Sequence, residues 1–356
     1  MMNAGKRGNS ISPSQGNRMS KLIKVGLAIT VAAALIAGCA ALRSATIADP
    51  PAPLSLDDLR STTPHGSGAN TSAPVIGLAL GGGGLRGYAH IGVLQAFEEA
   101  GIDVDVIAGT SAGAVIGAAY ASGRTVEEIQ QLAENLNVSS LTDWRLSRTS
   151  LLRGDALARW ASDMARNTSI EKMPRKFGAV AAVLDTGEAV FIERGDVGMA
   201  IRASAAIPGS MPPVESTRGL LVDGGISSLV PVRFARAMGA DVVIGVDIYC
   251  SSPPRSGSTF LATIARVSRT QTCMVNSVEM AEADVLLAPT IEITDMRSAA
   301  QREASILAGY HAAKAAIPAV LEQINSHAST GSMAVLSDQS SRAFSGSGDG
   351  PSNESR

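Results

Sequence analysis

Aromatic residues are scarce in this chain. Phe, Trp and Tyr together make up 3% of its 356 residues, although 45% of the sequence is hydrophobic. A core must therefore be built from Ala, Val, Ile and Leu, the residues that fill parallel strands buried between layers of helices. The composition favours a globular α/β domain and excludes a core that depends on large rings.

An excess of charge is also lacking. The chain has 30 basic and 32 acidic residues. The first 38 residues hold five of the bases and none of the acids, which leaves a net charge of −7 on the remainder. This balance argues against nucleic acid as a partner. The four histidines and three cysteines do not lie at metal-ligand spacing, so we predict no metal and no cofactor.

The N-terminus has the pattern of a bacterial targeting segment. Two lysines precede an apolar run over residues 25–37, which is shorter than the roughly 20 residues that a spanning helix needs. Residues 36–39 resemble a lipobox, in which Cys39 becomes the lipidated first residue. We therefore expect residues 1–38 to be a signal peptide, with a possible true start at Met19. Because Ala40 follows the cysteine, we expect an envelope lipoprotein on the outer membrane, facing the periplasm.

Composition also sets the expected domain boundaries. Residues 39–73 are rich in Ala, Pro, Ser and Thr, and residues 326–356 are rich in Ser and Gly. Segments of this kind bury too little apolar surface to fold, so we expect a disordered tether and a disordered tail. The folded domain is then predicted over residues 74–325. Within it, Cys250 and Cys273 are expected either to pair or to be buried thiols.

Short apolar runs alternate with helical stretches across residues 74–325, which predicts a three-layer α/β/α fold with a mainly parallel central sheet. Asp185-Thr186-Gly187 between two of the runs indicates a hairpin. The predicted strands are Val75–Leu80, Val104–Ala108, Ala179–Leu184, Ala189–Ile192, Leu220–Val222, Asp241–Ile248 and Val285–Ala288. The predicted helices are Tyr88–Ala100, Ala112–Tyr120, Thr125–Asn137, Asp155–Asn167, Val197–Ser204, Pro231–Met238, Ala262–Ala281 and Ala308–Gln323.

Ser111 is the candidate nucleophile. It lies in Gly109-Thr110-Ser111-Ala112-Gly113, between a predicted strand and a predicted helix. A G-x-S-x-G elbow needs small residues two positions from the serine, because the strained backbone brings those neighbours close together. Taken alone, the same residues also fit ordinary close packing of a helix on a strand.

A second glycine-rich loop, residues 81–87, follows the first predicted strand and opens a helix. Uncovered backbone amides at a helix N-terminus bind anions, so the loop is a candidate oxyanion hole. Gly82, Gly84 and Gly87 also fit the dinucleotide fingerprint. A dinucleotide-binding site requires an acidic residue at the carboxyl end of the next strand. In this sequence the serine elbow occupies that position.

Asp223 is the candidate base. It lies in Asp223-Gly224-Gly225, a sequence that on its own is typical of a turn. A serine needs a base to become nucleophilic at neutral pH, and the chain offers few others. His65 and His327 lie in polar segments, while His90 and His311 fall in predicted helices, where packing or capping roles are common.

The three motifs, in this order, resemble the patatin-like phospholipase family. Residues 89–94, 151–155, 201–209 and 237–241 also look like landmarks of that family. The resemblance implies that Ser111 is the nucleophile and Asp223 its partner in a Ser–Asp dyad. It further implies that the backbone of Gly83 and Gly84, with Arg86, forms the oxyanion hole. Ser228 departs from the asparagine that is frequent in relatives, which puts the local turn geometry in question.

The expected function is hydrolysis of lipid carboxylic esters, of phospholipase A or lysophospholipase type, through an acyl-enzyme. The expected partners are a lipid ester and the membrane that holds the N-terminal anchor, whereas the oligomeric state is left open. A histidine-dependent hydrolase that uses His311, or a catalytically silent lipoprotein, remain alternatives. Trp144, Leu146, Leu151, Leu152 and Trp160 are expected either to pack in the core or to line an acyl groove.

Overall fold

The structure, a computed structural model, describes residues 50–63, 73–136, 143, 153–254, 257, 259–295 and 298–345, with side chains described as far as residue 329. The strands are β1 (Leu54–Ser55), β2 (Ile76–Leu80), β3 (Val106–Thr110), β4 (Lys176–Val183), β5 (Ala189–Ile192), β6 (Val214–Ser216), β7 (Gly219–Asp223), β8 (Val242–Val246) and β9 (Val285–Leu287). The helices are α1 (Leu56–Thr62), α2 (Tyr88–Glu99), α3 (Ala112–Ala121), α4 (Val126–Glu134), α5 (Asp155–Met164), α6 (Val197–Ser204), α7 (Val232–Ala237), α8 (Phe260–Met280) and α9 (Ala299–Ser345).

The nine strands of the described residues form one sheet, whose main path runs β1-β5-β4-β3-β2-β8-β9. The pairs β4/β3, β3/β2, β2/β8 and β8/β9 are parallel, while β5 and β7 are antiparallel to β4. The predicted hairpin between β4 and β5 is present, with Gly187 at a positive φ of 73° in its turn. The sheet is therefore mainly parallel, as the sequence predicts.

Helices cover both faces of the sheet. Successive residues of β2 belong to different core clusters, since Leu78 and Leu80 lie in one and Ala79 lies in the other. The first cluster includes residues of α2, α3 and α6, and the second includes residues of α1 and α7. The alternation of side chains along a strand produces these two layers. The expected three-layer α/β/α fold is confirmed.

The segment before residue 74 does not fit the predicted tether. β1 pairs with β5, and α1 buries Leu59 in the core. The sequence signal is a capping box, in which the Ser55 hydroxyl accepts from the Asp58 amide and the Asp58 carboxylate accepts from the Ser55 amide. The folded domain therefore includes residues 50–63, and the boundary at residue 74 was wrong because composition masked a short helix.

The last helix is longer than predicted. α9 begins at Ala299 and continues to Ser345, with Pro318 inside it, whereas a helix over 308–323 and a disordered tail from residue 326 were expected. Residues 326–345 are therefore helical rather than disordered, and the rest of the tail lies outside the described residues. Polar composition misled the prediction, since Ser and Ala tolerate a helix that is already nucleated upstream.

Part of α9 is long and apolar enough to cross a membrane, the segment Ala299–Ser329 being the single candidate of this kind among the described residues. It packs instead against α2. A Cβ atom added to Gly92 would lie 1.9 Å from the Ile306 carbonyl oxygen, and one added to Gly309 would lie 1.9 Å from that of Ala89. The two glycines therefore let the backbones of α2 and α9 touch.

Candidate active site

Ser111 lies on a strained turn between β3 and α3. Its φ of 53° and ψ of −116° place it in a region that non-glycine residues rarely adopt. A Cβ atom on Gly113 would lie 2.0 Å from the Leu80 carbonyl oxygen, and one on Gly109 would lie 2.6 Å from Ala114 Cα. The neighbouring glycines are thus required by close backbone contact, which is the physical basis of the predicted elbow.

Ser204 holds this turn in place. The Ser111 amide donates to Ser204 Oγ at 2.8 Å, and the Ser204 hydroxyl donates to the Val180 carbonyl at 2.6 Å. Ser204 is fully buried at the end of α6. The sequence marked residues 201–209 as a family landmark but assigned Ser204 no role. Because its partners are 93 and 24 positions away, only the fold shows this contact.

Asp223 reaches Ser111 because two strands meet end to end. β3 pairs with β4 up to Thr110 and Val180, and β7 pairs with β4 from Ala181, opposite Asp223. Since β5 occupies the other edge of β4, β3 and β7 share one edge and run toward each other. The carboxyl ends of both strands therefore converge, and the Ser111 hydroxyl lies near enough to the Asp223 carboxylate to lower its pKa.

The Asp223 carboxylate is buried and weakly stabilised. Burial raises its pKa from 3.8 to about 6, although the Gly225 amide, which donates to Oδ1 at 2.8 Å, and the Ser111 hydroxyl lower it. The carboxylate is mostly ionised at neutral pH and is a better proton acceptor than an exposed aspartate. No cluster of three or more metal-ligating side chains accompanies it in the described part of the chain.

The glycine loop lies beside the elbow, with its first two amides occupied. Gly81 donates to the Val246 carbonyl and Gly82 to the Leu229 carbonyl, both at 3.0 Å. For Gly83 and Gly84, no amide hydrogen bond is found within the described residues. Gly84 has a φ of 60° and begins a short 3-10 turn that leads into α2. The assignment of these two amides to an oxyanion hole stays a prediction.

The side chains of His90 and Arg86 link the glycine loop to its surroundings. His90 is buried, and its Nε2 lies 2.8 Å from the Gly81 carbonyl oxygen, so this nitrogen carries the proton. Burial lowers the pKa of His90 to about 4, which keeps the ring neutral. The Arg86 guanidinium lies over the Tyr249 ring at 5.6 Å. His90 is thus a structural residue, and Arg86 contacts the loop after β8.

Asn276 was not singled out from the sequence, yet it fixes the loop after Asp223. It is buried on α8, where its Oδ1 accepts from the Leu229 amide at 2.5 Å and its Nδ2 donates to the Gly225 carbonyl at 3.2 Å. The turn itself is closed, because the Ser228 amide donates to Gly224 at 2.8 Å and Thr110 Oγ1 donates to the Ser228 carbonyl at 2.8 Å. The serine at position 228 therefore does not open the turn.

The remaining candidates lie elsewhere. His311 is exposed on α9, edge-on to Tyr310, and His327 is exposed near the end of the described side chains. Cys250 and Cys273 form a disulfide that ties the loop after β8 to α8. Trp160 packs half-buried against the core. Cys39, His65 and the predicted groove residues Trp144, Leu146, Leu151 and Leu152 lie outside the described residues.

A cavity of about 340 Å³ lies at the amino end of the parallel strand β4, whereas Ser111 follows the carboxyl end of β3. Its lining includes Lys176 at the amino end of β4 and Glu193 just beyond the carboxyl end of the antiparallel strand β5. Ligands of open α/β sheets bind at the carboxyl ends of the parallel strands, where the elbow lies. This cavity is therefore separate from the candidate active site.

Comparison with known proteins identifies the domain. Residues 78–236 match the family model described as patatin-like phospholipase. An uncharacterized NTE family protein of Mycobacterium tuberculosis is 41% identical over 181 residues, which are 50% of this chain and 50% of that protein. Patatin-like phospholipase domain-containing protein 7 of Rattus norvegicus is 35% identical over 181 residues, 49% of this chain and 13% of its own length. The crystal structure of VipD from Legionella pneumophila aligns with 72% of this chain and 67% of its own, with 13% identity and a TM-score of 0.46. By this sequence match, residues 78–236 of the chain are a domain of the patatin-like phospholipase family.

Proposed function

We propose that this chain is a serine hydrolase that cleaves carboxylic esters of lipids, of phospholipase A or lysophospholipase type, through a Ser–Asp dyad. The observation that carries the proposal is the meeting of Ser111 and Asp223 at the ends of β3 and β7, beside two open amides of the glycine loop. The family match and the phospholipase domain named in the rat relative support a lipid ester as substrate. Because the matched region spans half or less of these relatives, the activity of the whole protein is part of the proposal.

The arrangement supports a two-step reaction. Ser111 Oγ attacks the ester carbonyl while the Asp223 carboxylate accepts its proton. The amides of Gly83 and Gly84 stabilise the oxyanion, a contribution of about 3 kcal/mol per donor. The protonated Asp223 then donates to the leaving alcohol, and the acyl group remains on Ser111. Water, activated in turn by Asp223, releases the fatty acid and restores the dyad.

The test is covalent labelling followed by turnover on an ester panel. Wild type should react with a fluorophosphonate probe at Ser111 and hydrolyse a soluble short-chain ester and phospholipid. Ser111→Ala should abolish labelling, and Asp223→Asn should lower kcat by orders of magnitude with little change in KM. Ser122→Ala is the matched control. Ser122 is a buried serine at the other end of α3 from Ser111, and its hydroxyl donates to the Ala119 carbonyl. Labelling at another residue, or full activity of Asp223→Asn, contradicts the proposal.

The same panel separates the two alternatives. A histidine-dependent hydrolase requires His311 to act on Ser111, but the exposed ring contacts Tyr310 on α9. We expect His311→Ala to retain most activity, and a dead His311→Ala beside an active Asp223→Asn overturns the dyad. A silent lipoprotein would neither label nor hydrolyse any ester of the panel.

We further propose that the protein is a lipoprotein of the bacterial envelope, acylated at Cys39 after removal of residues 1–38. The support is the sequence pattern alone, namely the basic start, the short apolar run and the lipobox. Cys39→Ser should leave the precursor unacylated and release the protein from washed membranes. Metabolic labelling with a palmitate analogue measures acylation directly, and labelling of the Cys39→Ser variant contradicts this assignment.

A further inference from the structure

Helix α8 has its apolar side turned to solvent. Seven exposed large apolar side chains form one stripe along the helix, which we call the outer face of α8. Phe260 is 78% exposed, Leu261 77% and Met274 69%. A surface helix normally turns this side to the core. The outer face consists of Phe260, Leu261, Ile264, Val267, Met274, Val275 and Val278.

The polar side of α8 is the one that packs. Arg269 Nη2 donates to the carbonyls of Tyr249, Cys250 and Ser252. The disulfide from Cys273 and the two bonds from Asn276 lie on the same side. The helix is therefore fixed in this orientation by specific bonds, and rotation to bury the apolar stripe would break them. An apolar patch held outward by polar bonds indicates an interaction surface.

We propose that the outer face of α8 is the surface by which this protein docks onto an anionic lipid bilayer. The inference rests on the proposed function, because it explains how a lipid ester reaches the site. The charges fit this occupant, since residues 248–278 contain three arginines and no acid, although the whole chain is slightly acidic. Arg266 is exposed on this helix, whereas Arg269 is turned to the packed side by its bonds to three carbonyls. An apolar stripe bordered by arginine is the pattern of a helix that lies in a membrane interface.

The position of the helix supports the same occupant. Asn276 joins α8 to both Gly225 and Leu229, and the Leu229 carbonyl accepts from Gly82 in the glycine loop. A bilayer on the outer face therefore lies about one helix diameter, roughly 10 Å, from the residues that hold the catalytic loops. The lipid esters of that bilayer then lie beside the helix that holds the loop after Asp223. A second copy of the chain is the competing occupant, and the test separates it.

The experiment uses the full chain with Cys39→Ser in every arm, so that no acyl anchor contributes. Flotation with vesicles of phosphatidylethanolamine and phosphatidylglycerol measures docking. The flotation arm also carries Ser111→Ala, which prevents consumption of the vesicles, whereas turnover is measured with Ser111 intact. The docking variant is Phe260→Gln, Leu261→Gln and Met274→Gln. The matched control is Leu307→Gln and Leu321→Gln, two exposed leucines of α9. Light scattering reports the oligomeric state of each variant.

We expect the docking variant to lose at least tenfold in vesicle binding and in phospholipid turnover, while hydrolysis of a soluble short-chain ester is unchanged. Binding should be weaker on vesicles of phosphatidylcholine. The proposal is overturned if the docking variant binds as wild type, if the α9 control loses binding instead, or if the variant only converts a dimer to a monomer. Vesicle binding without hydrolysis of any ester would contradict the proposed function and leave the docking surface intact.

Discussion

Asp223→Asn should inactivate the protein and at the same time stabilise it. The folded state raises the pKa of this buried carboxyl from 3.8 to about 6, so the folded protein binds more protons than the unfolded chain between these values. Its stability therefore falls as pH rises through this window and is lowest above it. A shift of this size corresponds to about 3 kcal/mol at pH 7, at 1.36 kcal/mol per pKa unit.

An asparagine of the same shape removes this penalty. Its Oδ1 can still accept from the Gly225 amide, which donates to Asp223 Oδ1 at 2.8 Å, and its amide can donate to Ser111 Oγ. We expect the variant to gain up to about 3 kcal/mol at pH 7, or roughly 2–4 °C in Tm per kcal/mol. Near pH 4 the gain should vanish, because the wild-type carboxyl is then largely protonated in the folded state.

Thermal and urea unfolding between pH 4 and pH 8 measure the difference. Ser111→Ala is an inactive control that keeps the buried carboxylate and should show no such gain. Asp247→Asn is the opposite control, since that buried carboxylate accepts from the amides of Tyr249, Cys250 and Ser251 and its loss should destabilise. If Asp223→Asn is less stable than wild type at pH 7, or if its gain does not vary with pH, the free-energy cost assigned to the buried Asp223 carboxylate is refuted.

Three further predictions concern the candidate site and helix α8. Because Asp223 must be ionised to accept a proton, kcat/KM on a soluble ester should fall as pH decreases through about 6, and a flat profile down to pH 5 would exclude it as the base. Ser204→Ala should lower kcat roughly 10²-fold with KM nearly unchanged, since the elbow amide loses its partner, and steady-state kinetics that match wild type would deny Ser204 a positioning role. Replacing Cys250 and Cys273 by serine should cost about 3 kcal/mol in urea unfolding for a bridge of separation 23, and a change below about 1 kcal/mol would show that the bonds of Arg269 and Asn276 hold α8 without the bridge.

The sequence was sufficient to predict the sheet and the elbow. All seven predicted strands are present, with ends within three residues of the predicted ones, because each is a short apolar run bounded by turn residues. The elbow was recognisable since its glycines are required by local backbone contacts. The disulfide was one of two open alternatives, because a spacing of 23 residues does not fix the distance between two cysteines.

Other features depend on contacts that no local pattern encodes. Asn276 holds a loop 47 to 51 positions away, and an asparagine within a helix carries no sign of a partner at that distance. β1 and α1 were hidden in a segment rich in Pro, Ser and Thr, although the capping box at Ser55 was legible. The helix predicted over residues 308–323 was too short, because the apolar residues on which the prediction rested give way to polar residues. Each miss concerns tertiary structure that overrides composition.

The candidate site combines two conformations that are unfavourable on their own. The positive φ of Ser111 costs about 1–3 kcal/mol, and the buried Asp223 carboxylate adds a cost of similar size. Both are held by bonds from rigid elements: Ser204 on α6 fixes the Ser111 amide, and Asn276 on α8 fixes the loop after Asp223. Since the turn on which each catalytic group lies is braced by a side chain of a different helix, neither can relax without loss of a buried hydrogen bond. These bonds therefore hold the serine and the aspartate of the proposed dyad in place before a substrate arrives, as a dyad without histidine would require.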